Sequence, residues 1–219
     1  MRVFVGLVVL AHAAIAALAA QDRPVIESRL DPQTLAAVRA IIDSARRDSV
    51  PLQALEDKAL EGAAKHVPVG RIVGAVRQLS VELRDARALL RAAAPRAALA
   101  DGEIVAAADT RRRAVPAVEV SRLRNHVPAT APLVVALTVL GDLVQRGIPA
   151  DQAREVIEEL IAAGVSAQQI ADIPTRMDVG LRVGAPPLDA LRSALPIPLR
   201  PVQRAPTPLR PNPSRRALP

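Results

Sequence analysis

Hydrophobic positions recur at helical spacing along most of the chain. Between residues 31 and 47, Leu35, Val38 and Ile42 fall on one face, and charged residues occupy the opposite face. Asp31-Pro32 is a typical helix start, because Asp caps free N–H groups and Pro fits the first helical position. The same periodicity continues through the segments 50–65 and 67–92. The pattern predicts three consecutive helices.

A hydrophobic residue followed by Pro marks the start of several of these predicted helices. The pairs are Val50-Pro51, Val67-Pro68, Val115-Pro116 and Ile148-Pro149. Proline interrupts a helix but is tolerated at its beginning. Each pair therefore indicates that one helix ends and another begins.

The pattern returns after 98 residues. Residues 31–84 align without a gap on residues 129–182, with nine identities in 54 positions. The helix starts and the apolar positions also coincide, as Pro51 with Pro149, Val67 with Val165, and Ile72 with Ile170. We interpret this periodicity as a duplicated three-helix module.

The segment from Pro132 to Val144 differs from the others because it is apolar on nearly every face. Its sequence, PLVVALTVLGDLV, contains Asp142 as its one charged residue. A helix that is hydrophobic all round is buried or spans a membrane, and this one is too short to span. We expect it to be the central helix of the fold.

The predicted fold is all-α, with about eight or nine short-to-medium helices arranged as a helical repeat or as an orthogonal bundle. The expected organisation is a signal peptide at 1–19, an irregular leader at 20–30, a first module at 31–92, connecting helices at 93–128, a second module with a short terminal helix at 129–195, and a tail at 196–219.

The N-terminus predicts export. Arg2 precedes an apolar run, and Ala17-Leu18-Ala19 fits the small-x-small pattern of signal-peptide cleavage before Ala20. No Cys follows the run, so a lipid anchor at Cys is not expected. We therefore predict a periplasmic or secreted protein with no transmembrane span after cleavage.

The last 24 residues contain eight Pro and five Arg and no acidic residue. Such a composition predicts a disordered, polyproline-like basic tail. Contacts with an anionic membrane or cell-wall surface are expected from its arginines, which are Arg200, Arg204, Arg210, Arg215 and Arg216. A tail that only increases solubility is an equally acceptable interpretation.

Three other polar features are candidate sites. His66 and His126 both precede Val-Pro, and ending a helix is the favoured interpretation, with catalysis or metal binding as the alternative. The acidic residues from Asp151 to Glu159 are interpreted as a solvated helix face. The run Arg111 to Arg113 and the net charge of +7 raise nucleic acid as a partner, but predicted export makes it unlikely.

Composition narrows the function further. The chain has no Cys, Trp or Tyr, which excludes thiolate catalysis and disulfides and disfavours base stacking. No phosphate-binding loop or zinc-protease motif occurs, so neither a cofactor, a metal nor an enzyme activity is predicted. The prediction is a non-catalytic helical scaffold or binding module of the bacterial envelope, with an envelope protein as partner. The alternatives are an enzyme using His66 or His126 and a carrier of apolar ligands.

Overall fold

The computed structural model describes residue 26, residues 29–128 and residues 131–198. These residues form ten helices: α1 (Pro32–Arg47), α2 (Leu52–Ala64), α3 (Val69–Ala93), α4 (Asp101–Arg112), α5 (Ala117–His126), α6 (Leu133–Gln145), α7 (Ala150–Ala162), α8 (Ala167–Ala171), α9 (Ile173–Arg182) and α10 (Pro187–Ala194). The described part of the chain contains no strand. The all-α prediction is confirmed.

The helices pack in two rows. In the first row α1, α3, α4, α6 and α9 each pack against the next helix of the series. In the second row α2 packs on α1 and α3. Helix α5 packs on α3, α4 and α6, and helix α7 packs on α5 and α6. The short α8 fits between α6 and α9, and α10 packs on α9. Most of these contacts join helices that are close in sequence, as they do in a helical repeat.

The apolar helix α6 occupies the centre, as the sequence predicts. It packs against α4, α5, α7, α8 and α9. Leu137, Leu140 and Leu143 are completely buried. Burial of a leucine side chain stabilises the fold by about 1.5–3 kcal/mol. A helix with apolar residues on most faces is stable here because other helices cover those faces.

Six helix ends share one backbone geometry. The second residue after each helix takes a left-handed conformation, at Ser49, His66, Ala114, Gly147, Gly164 and Gly184. The following residue donates its N–H to the carbonyl five positions earlier, over 2.9–3.4 Å. This pattern is a Schellman motif, which satisfies carbonyls that the helix end leaves free. Proline comes next at five of the six ends, and Ser166 at the sixth.

The 98-residue correspondence holds at the level of helix bounds. Helices α2 and α7 begin and end 98 residues apart, and α3 and α8 begin 98 residues apart. Core positions agree too, since Ile72 and its counterpart Ile170 are both buried. The duplicated pattern in the sequence thus corresponds to helices of matching position.

The third helix of the second copy departs from this match. It breaks at Asp172 into α8 and α9, whereas α3 continues without interruption. Pro174 lies in the first turn of α9, where the first copy has Val76. Proline cannot donate an intrahelical hydrogen bond and its ring clashes with the preceding turn. The uninterrupted third helix implied by the repeat is therefore wrong for the second copy.

Two predicted segments lie largely outside the described residues. These are the signal peptide at 1–19 and the basic tail, of which only residues 196–198 are described. Among the described helices, none combines the length and the apolarity needed to cross a bilayer.

Candidate functional site

Arginine–carboxylate pairs join successive helices of the first row. Arg84 on α3 pairs with Asp48 at the end of α1, with a nitrogen–oxygen distance of 2.6 Å, and Arg112 on α4 lies 3.8 Å from Glu82 on α3. Arg113 at the end of α4 pairs with Asp142 on α6. Arg146 at the end of α6 pairs with Asp178 on α9 over 2.7 Å. These side chains are partly exposed, so each pair contributes little stability by itself. Together they join each helix of the first row to the next one.

The pair between α4 and α6 depends on a glycine. Arg113 follows the end of α4 and reaches across α6 to Asp142. A Cβ atom at Gly141 would lie 2.8 Å from Cδ of Arg113, which is too close. Gly141 therefore allows the arginine to lie flat against the central helix. A second bond, of 2.7 Å, joins Arg113 to Asp109 on its own helix.

The two copies place an ion pair at the same corner with the charges exchanged. In the first copy the residue after α1 is Asp48, which pairs with Arg84 on the third helix. In the second copy the corresponding residue is Arg146, which forms a two-bond pair with Asp178, at 2.7 and 3.0 Å. Hydrogen bonding to Arg146 lowers the pKa of Asp178, and the same bonds raise the pKa of Arg146.

A buried charge cluster lies between α5 and α7. Arg154 on α7 donates to Glu119 on α5 over 2.7 Å, and both residues are buried. The same guanidinium also pairs with Glu158 over 2.5 Å and with Glu155 over 3.1 Å. Burial opposes the charge of Arg154, but its bonds to Glu119 and Glu158 raise its pKa overall. The prediction that this acidic stretch is a solvated face is wrong for Glu158, which lies partly buried in the helix interface.

The two histidines of the His-Val-Pro sequences have different environments. His66 is exposed and occupies a left-handed position after α2, where its counterpart in the second copy is Gly164. His126 is the last residue of α5 and donates from Nδ1 to the carbonyl of Arg122 over 2.8 Å. Its Nδ1 also lies 3.4 Å from a carboxylate oxygen of Glu158, although the ring itself is largely exposed. Both residues therefore lie at helix ends, His66 with a left-handed backbone and His126 with a side-chain hydrogen bond to the last turn.

Of the three consecutive arginines, two pair with carboxylates and Arg111 binds only a carbonyl in the described structure. Arg111 donates to the carbonyl of Val115, and Arg112 pairs with Asp109 over 2.9 Å. Arg113 is held by Asp142, as described above. The tail arginines proposed for anionic surfaces, Arg200 to Arg216, lie outside the described residues.

The surface of the described structure includes the following two depressions. One, of about 390 Å³, lies between α3, α4 and the start of α5. The other, of about 530 Å³, follows α9 past Thr175, Asp178 and Leu181. Neither is lined by His66 or His126. The 390 Å³ groove is the better candidate for a binding site, because side chains of three helices form it.

Sequence reasoning missed the ion pairs between helices and the groove. The paired residues of the first row are separated by 29–36 positions, and only the fold brings them together. One signal of the buried charge cluster was present in the sequence, because Arg154 is a single basic residue among acidic residues on a helix face predicted to be solvated. Across the described ranges, no group of three or more His, Asp and Glu side chains is placed to hold a metal ion. Comparison with protein-family models, curated proteins and solved structures finds no significant match for this chain.

Proposed function

We propose that this chain is an exported, non-catalytic helical scaffold or binding module of the bacterial cell envelope. In this proposal the stacked helices present a surface to a protein partner, and the basic tail attaches the protein to an anionic surface. The observation that supports the proposal most strongly is the two-row packing of helices. Such stacks offer extended surfaces to partners and are built mainly from local contacts.

The charge distribution supports the role given to the tail. Many basic side chains of the described helices are already paired with carboxylates, including Arg84, Arg113, Arg146 and Arg154. The last 24 residues hold five Arg and no acidic residue to compensate them. A segment of this kind attracts phosphate-bearing surfaces, at about 1 kcal/mol for each basic residue near the surface.

Vesicle sedimentation tests this role directly. The protein from residue 20 onward should sediment with phosphatidylglycerol-containing vesicles at low salt and be released at high salt, because screening weakens the attraction. It should not sediment with neutral phosphatidylcholine vesicles. A form that ends at Leu195 should remain in the supernatant.

A full-length control separates charge from chain length. In this control the five tail arginines are changed to Gln, so that Pro content and length are kept. Loss of sedimentation in this variant supports the electrostatic role. Sedimentation that is equal for the intact, shortened and neutral-tail forms would show that the tail does not attach the protein.

A further inference from the structure

Three alanines from three helices create the 390 Å³ groove. Ala86 of α3, Ala108 of α4 and Ala117 of α5 line it, and Leu89 adds an apolar surface. Because their side chains end at Cβ, the helices pack closely and still leave space between them. The volume lies in the range of about 300–1,000 Å³ that is typical of ligand pockets.

Opposite charges stand on the two walls of this groove. Glu82 and Asp85 belong to α3, while Arg111 and Arg112 belong to α4. A nitrogen of Arg112 lies 3.8 Å from a carboxylate oxygen of Glu82, so these two residues partly neutralise each other. The groove is thus dipolar, with a carboxylate wall and a guanidinium wall above an apolar floor.

One charged side chain on each wall has no partner of opposite charge in the described structure. The Asp85 side chain is exposed and forms no ion pair or hydrogen bond with another residue of the described ranges. Arg111 uses one nitrogen to bind the carbonyl of Val115 but pairs with no carboxylate in the described structure. A guanidinium has five N–H donors in a planar fork, so Arg111 retains donors for a guest carboxylate.

We propose that this groove binds a short amphoteric peptide segment. A basic group of the peptide pairs with Asp85, an acidic group pairs with Arg111, and small residues between them contact Leu89 and Ala117, the partly exposed apolar residues of the groove. Charge complementarity identifies this occupant, because a purely anionic surface would meet Glu82 and Asp85 and a purely cationic one would meet both arginines. The inference rests on the proposed role as a binding module and names the chemistry of the partner.

Calorimetric titration with a capped tripeptide tests the inference. The probe is acetyl-Glu-Ala-Lys-amide, and the reference is acetyl-Gln-Ala-norleucine-amide, which has a similar shape and no charge. The full protein from residue 20 onward should bind the charged probe and not the reference. Asp85→Asn and Arg111→Gln should each weaken binding about tenfold, the equivalent of about 1.4 kcal/mol.

Matched variants control for net charge and for access. Asp57→Asn and Arg71→Gln change exposed residues outside the groove and should leave the affinity unchanged. Ala117→Leu should abolish binding by filling the groove. Absence of probe binding, equal binding of the neutral reference, or insensitivity to both Asp85→Asn and Arg111→Gln would overturn the inference. Vesicle sedimentation depends on the tail, so the groove variants should sediment normally and the two proposals can fail separately.

Discussion

The left-handed residue of each of the six Schellman motifs illustrates how one backbone angle determines a stability effect. Gly164 has a φ of +75°, and nothing lies within 4 Å of the position that a Cβ would take. Any effect of a methyl group there arises from the backbone conformation. Left-handed geometry costs an L-residue about 1–2 kcal/mol.

We expect Gly164→Ala to lower the free energy of unfolding by about 1 kcal/mol, because alanine is strained at this angle. Gly74→Ala is the matched control, since Gly74 lies inside α3 with equally open space around its Cβ position. There the same change should raise the free energy of unfolding by about 0.5–1 kcal/mol. Urea denaturation of both variants measures the two effects, and shifts of the same sign would contradict this account.

Residue patterns predicted the helix ends well and the surroundings of single charged residues poorly. The counterpart of Gly164 is His66, which shows that the position requires a helix end and no particular side-chain chemistry. The sequence predicts a solvated face for the acidic residues from Asp151 to Glu159, and Arg154 lies among them. Its most buried partner, Glu119, is 35 residues away and becomes adjacent only when α5 packs on α7.

At the scale of helices, the sequence predicted the existence of most elements and the central position of α6. Periodicity and Pro positions suffice for this, because both act within one helix or at its end. The break at Asp172 was missed because the repeat suggested an uninterrupted helix and outweighed Pro174. The ion pairs were missed because helix rules concern partners three or four residues apart.

The α5–α7 interface provides a test at this scale. Arg154→Met should lower the free energy of unfolding by about 3 kcal/mol, since Glu119 would remain buried with only the largely exposed Arg122 as a partner, at 3.0 Å. The double change Arg154→Met and Glu119→Met should cost less than the single change, because both buried charges are removed together. Guanidinium denaturation of each variant measures these values.

An exposed arginine is the control for that experiment. Arg192 pairs with Asp189 at the surface of α10, where both side chains are more than half exposed. Arg192→Met should change the free energy of unfolding by less than about 1 kcal/mol. A similar cost at Arg154 and Arg192 would show that the buried cluster has no special role.

For the whole molecule, the sequence predicts the fold class but not the groove that is the candidate binding site. The all-α architecture follows from apolar spacing and helix ends alone. The groove could not be predicted, because Ala86, Ala108 and Ala117 are ordinary helix residues until α3, α4 and α5 meet. Its chemistry depends on which charges remain unpaired after folding, and that is a property of the assembled structure.

Export is the claim on which the proposed envelope role depends. Cleavage requires small residues before the new N-terminus, so Ala19→Arg should block it. The most direct measurement is the intact mass of the protein recovered from fractionated cells of a Gram-negative bacterium that expresses the full chain. The account predicts a chain that begins at Ala20 in the periplasmic or secreted fraction. A full-length chain that begins at Met1 and remains in the cytoplasm would contradict it.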